Sequence, residues 1–81
     1  MSENQKERIT IHVERKNRGM REFTRIIPKE VDRQTFVGDL IDEYVFLMNE
    51  DQERSIIFYD DETGDILITK RYDIISIEFR R

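Results

Sequence analysis

The 81-residue chain contains no cysteine, one histidine, one proline and three glycines. Without cysteine, neither a disulfide framework nor a thiolate zinc site can staple the fold. The glycines are isolated, so no glycine-rich loop exists to cradle a phosphate. His12 stands alone, and both base catalysis and metal ligation need partners that a single histidine does not supply. The longest uncharged apolar stretch, residues 44–48, is far short of the ~20 residues that span a bilayer, so no membrane insertion is expected. Residues 1–7 are polar and mixed in charge. They read as a disordered tail rather than a signal or transit peptide, and with the missing cysteines they point to the cytoplasm.

What is present is charge in quantity, 40% of residues with a net charge of −4, and 37% apolar residues. High charge favours disorder. Here, however, the apolar residues come in compact runs at 9–13, 36–48, 56–59 and 74–79, as a folded domain requires. That core suffices for one sheet against one helix, and residues 8–81 read as one domain. The charge is uneven. Residues 1–33 hold nine basic and six acidic residues, and residues 34–81 hold five and twelve.

Ile9, Ile11 and Val13 alternate with Thr10, His12 and Glu14, the period-2 signature of a half-buried strand. The polar residues 16–19 end in glycine and suit a hairpin turn. A second strand over 21–27 alternates imperfectly around Arg25, which a bulge would resolve, and Pro28 ends it. Thr35 is the expected N-cap of a helix over about 36–50. Its core stripe would hold Val37, Leu40, Ile41, Tyr44 and Met48. Strands are expected over 54–60, 65–69 and 75–80, with a turn at 60–64 and a bend at Tyr72-Asp73. The fold class is α+β: a mixed sheet of four to five strands wrapped over one helix, with the first and last strands parallel at its centre. That is a β-grasp.

On these residues the chain resembles the ubiquitin-like family. Ile9-Thr10-Ile11-His12-Val13-Glu14 is similar to its first strand. Ile27-Pro28-Lys29-Glu30-Val31 and Thr35-Phe36-Val37-Gly38-Asp39-Leu40-Ile41 are similar to its passage from strand to helix. Ser55-Ile56-Ile57-Phe58 and Ile75-Ser76-Ile77-Glu78-Phe79 are similar to its third and last strands. Within that family the chain looks most like small bacterial proteins that accompany type VII secretion and are not conjugated. Tyr72-Asp73-Ile74 departs from that group, which carries a glycine–aspartate turn before its last strand. The resemblance implies an accessory or regulatory protein that binds another protein and needs no cofactor. Conjugating and sulfur-carrying members end in two glycines, and Phe79-Arg80-Arg81 stands here instead, so neither activity is expected.

No catalytic set is legible, and an enzyme would need oligomerisation to build a cleft. Asp60, Asp61, Glu62 and Asp65 crowd around Gly64 without calcium-loop spacing. Two surfaces suit a protein partner. One is the acidic helix face of Asp39, Asp42 and Glu43, where Phe46 lies opposite the core stripe as an aromatic anchor. The other is the outer sheet face, where Ile57 and Tyr59 would flank His12, Ser76 and Glu78. Arg15, Lys16, Arg18, Arg21 and Arg25 form a basic patch on the first hairpin, so nucleic-acid binding is the alternative. Mimicry of nucleic acid by the acidic half, as in a small phage- or host-encoded inhibitor, is its counterpart. The partner's identity and the oligomeric state are not legible in the sequence.

Overall fold

The structure, a computed structural model, describes residues 7–80. The expected tail falls outside the described residues except for Glu7. That residue is tied into the fold: its carbonyl accepts from the Ile27 N–H at 2.9 Å and its carboxylate meets Arg33 at 3.1 Å.

Strands β1 (Arg8–Arg15) and β2 (Gly19–Ile26) form the expected hairpin. Asn17 (φ 61°) and Gly19 (φ 74°) take the left-handed backbone that closes the loop, a conformation that glycine reaches without steric cost. The register runs unbroken from Arg8↔Ile26 to Arg15↔Gly19, so the bulge expected in the second strand is absent. Arg25 instead keeps its place in the alternation. Its guanidinium reaches out over the Tyr59 ring at 5.7 Å and to the Asp61 carboxylate at 3.1 Å.

Helix α1 (Arg33–Met48) begins earlier than the spacing predicts. Asp32, not Thr35, is the N-cap: its carboxylate accepts from the Thr35 N–H at 3.2 Å, satisfying one of the helix's free amide donors. Leu40 and Tyr44 are buried, whereas Ile41 is exposed. The placement of Ile41 in the core stripe is therefore corrected, and Val45 joins it on the open side. Strands β3 (Ser55–Tyr59) and β4 (Ile66–Lys70) pair antiparallel. A single 3₁₀ turn (Arg71–Asp73) stands at the expected bend, and β5 (Ile74–Arg80) closes the chain.

The topology differs from expectation. First and last strands pair antiparallel, with Thr10↔Arg80, Ile11↔Phe79 and Val13↔Ile77 as partners. Among the described residues every ladder is antiparallel, and the strands form two sheets, β2-β1-β5 and β3-β4, rather than one mixed sheet. The cause is the short turn after β4. It delivers Asp73 to the far end of β1, where the Lys16 N–H donates to the Asp73 carbonyl at 2.8 Å. From there β5 can only run back along β1. A register shift opposite Glu14 and Arg15 leaves Ile75 as the extra residue of a bulge at the start of β5.

The core is aromatic at its centre. Phe58 stacks on Tyr44 with centroids 5.1 Å apart and on Phe23 at 5.5 Å, and Phe79 tilts against Tyr44 at 6.1 Å. Ile11, Val13 and Ile56 fill the space around them. The Tyr44 hydroxyl donates to the Ile57 carbonyl at 3.1 Å, and burial pushes its pKa up to about 12. No helix of the described residues is long and apolar enough to cross a membrane. Because Phe58 joins both sheets and the helix, Phe58→Ala is expected to lower the unfolding free energy by about 3–5 kcal/mol. In a domain of this size that removes a large part of the total stability, which a thermal melt followed by circular dichroism measures as a lowered midpoint.

Candidate functional site

The hairpin β3–β4 presents two apolar faces. Ile56 and Phe58 point inward and are buried. The opposite phase carries Ile57 and Tyr59 on β3, and the ladder sets Ile68 directly across from Ile57 and Ile66 across from Tyr59. These four side chains are 40%, 45%, 62% and 60% exposed for Ile57, Tyr59, Ile68 and Ile66 respectively. Single exposed apolar residues are ordinary, but four in two facing pairs make a contiguous patch, and such patches mark contact surfaces. Ser55 and Lys70 close its polar end, and Arg25 lies over the Tyr59 ring.

Sequence reasoning placed Ile57 and Tyr59 on the outer face but missed Ile66 and Ile68. The available signal was the short turn at 60–65, which puts two isoleucines opposite the first pair. His12 does not join this patch. It belongs to the three-stranded sheet, opposite Glu78 on β5, where it lines a shallow hollow with Glu14, Met20, Ser76 and Arg80. Its ring is largely covered, with Nδ1 3.3 Å from the Met20 sulfur and 3.5 Å from the Glu22 carboxylate. The predicted sheet face is thus two surfaces on two sheets.

The helix face is as the spacing predicts. Phe46 is 63% exposed, and Asp39, Asp42 and Glu43 are exposed beside it. Three residues of the basic patch make contacts within the fold. Arg25 is bound to Asp61 and Tyr59, Arg21 lies over Phe23 at 5.2 Å, and Arg15 donates to the Arg18 carbonyl at 3.3 Å. Lys16 and Arg18 remain exposed at the loop.

The sequence matches no family model, and no curated protein or solved structure matches it.

The acidic turn has a structural role. The Asp60 carboxylate accepts from the backbone N–H groups of Glu62 (2.8 Å), Thr63 (3.0 Å) and Thr24 (3.2 Å). Asp61 accepts from the Ile26 N–H at 2.9 Å, and its own N–H donates to the Thr24 carbonyl at 2.7 Å. The two side chains occupy the edge of β2 that a further strand would take, and so hold the β3–β4 hairpin against the larger sheet. Among the described residues no group of three His, Asp or Glu converges on a metal position.

Desolvation alone raises the Asp60 carboxyl, but the N–H groups of Thr63, Glu62 and Thr24 outweigh it and hold the pKa below the ordinary carboxylate value of 3.8. The stability this contributes is present above that value and is lost as pH falls through the depressed folded-state pKa. Asp60→Ala is expected to cost roughly 1–2 kcal/mol at pH 7. Asp60→Asn is expected to flatten the loss of stability between pH 5 and pH 2 in urea melts relative to the wild type.

Proposed function

We propose that this chain is a non-catalytic protein-binding module that meets its partner through the outer face of the β3–β4 hairpin. The observation that carries the reading is the pair of facing contacts Ile57–Ile68 and Tyr59–Ile66, left exposed on a hairpin whose other face already supplies the core. A domain of this size has few apolar residues to spare, and a contiguous apolar face costs solubility unless another surface covers it. Tyr59, with Arg25 against its ring, has the aromatic–arginine character of an interface anchor. Phe46 is the second anchor, solitary and ringed by carboxylates, and suits a weaker polar contact.

The order of five strands and one helix supports a β-grasp-like reading, while the antiparallel pairing of β1 with β5 departs from the parallel pairing of that arrangement. On the ubiquitin-like resemblance, the module would serve as a cytoplasmic accessory or regulatory subunit of a bacterial assembly such as a type VII secretion system.

The test is affinity capture from the native host with the wild-type chain, Ile57→Asp and Phe46→Asp as baits. Loss of one anchor at an interface centre costs about 2 kcal/mol or more, some thirtyfold in affinity. The wild type and Phe46→Asp are expected to retain the same partner, and Ile57→Asp to lose it. Equal capture by all three baits would remove the hairpin face from the reading.

A further inference from the structure

β5 is an edge strand: β1 covers one side, and among the described residues nothing pairs with the backbone on the other. Beside that open edge runs a seam between β5 and α1. Two adjoining hollows of 490 Å³ and 280 Å³ lie along it and share Ile41 and Phe79 in their walls, with Val37, Gly38, Val45 and Ile77 among the other residues that line it. Gly38 sits mid-helix, where glycine disfavours the helix relative to alanine. A Cβ added there meets nothing within 4 Å, so no close packing inside the monomer accounts for it. Its position leaves a hollow beside Phe79.

We infer that this edge is the dimer interface of the chain, with β5 pairing antiparallel to β5 of a second copy about a two-fold axis at Phe79. The occupant follows from the pattern of β5 itself. Glu78 and Arg80 stand on its outer phase, both well exposed and paired to each other at 2.8 Å. Two-fold registers centred on Glu78, Ile77 and Phe79 differ in what they set opposite each other. Centring on Glu78 sets Glu78 against Glu78 of the second copy, and directly opposed like charges destabilise a ladder. Centring on Ile77 draws the bulged Ile75 into the pairing, where a bulge interrupts the hydrogen bonds. Centring on Phe79 avoids both and sets each Glu78 across from an Arg80, twice by symmetry. It also brings the two Phe79 rings together beneath Ile41 and Gly38 of both helices. A two-fold interface must be self-complementary in this sense, residue i meeting j and j meeting i. The hairpin face of β3–β4 takes no part, so the inference is independent of the partner-binding reading.

Sedimentation velocity of the full chain from about 1 to 500 μM tests it. A short seam predicts a weak dimer with a Kd in the micromolar range. Glu78→Arg alone and Arg80→Glu alone each place like charges across the interface and are expected to weaken dimerisation at least tenfold. Mixing the two variants restores opposite charges across the ladder and is expected to recover a heterodimer, which the intrachain pair alone would not produce. Gly38→Met adds a side chain beside the hollow, at a position where the Cβ meets nothing within 4 Å. It is expected to weaken the dimer while the circular dichroism spectrum stays unchanged. A chain that is monomeric over the whole range overturns the inference, and so does a dimer indifferent to both charge reversals.

Discussion

Phe58 lies between Phe23 and Tyr44, and through those two rings it touches β2 on one side and the helix on the other. The two sheets share no continuous ladder, so what joins them is this stack together with the carboxylates of Asp60 and Asp61 on the β2 edge. Offset aromatic stacking adds to burial and fixes orientation. The phase of β3 follows from it: with Phe58 and Ile56 turned inward, Ile57 and Tyr59 have no choice but to face out. The surface that suits a partner is thus a geometric consequence of the core.

The same constraint explains the open seam on the opposite flank. Tyr44 is drawn to Phe58 and to the Ile57 carbonyl, which rolls the helix toward β3. The residues one step around the helix, Ile41 and Val45, are left beside β5 without cover. An edge strand with apolar neighbours is a hazard for uncontrolled pairing. The bulge at Ile75 and the charges of Glu78 and Arg80 narrow the ways in which another strand can join it.

Much of the secondary structure was legible in the sequence because its periods are clean. Ile9, Ile11 and Val13 gave the first strand, and Leu40 and Tyr44 gave the helix phase. The direction of β5 was not legible, since an antiparallel return depends on where a three-residue turn leaves Asp73. The exposure of Ile41 was hidden for a related reason: a helical stripe shows which residues are neighbours but not how wide a sheet lies beneath them. The exposure of Phe46 and of the carboxylates around it was legible, because residues opposite the core stripe need no partner to be exposed. The work of Asp60 was not legible, because a carboxylate capping a distant strand edge leaves no local signature.

The central claim is that Ile57 and Ile68 are surplus to the core and form a surface. The most direct measurement is the unfolding free energy of the Ile57→Thr/Ile68→Thr double variant by urea titration. Threonine keeps the β-branched strand preference while removing apolar area. The account predicts a stability within about 1 kcal/mol of the wild type. A loss of about 3 kcal/mol or more, the scale of a core deletion, would place these residues inside the fold and contradict it.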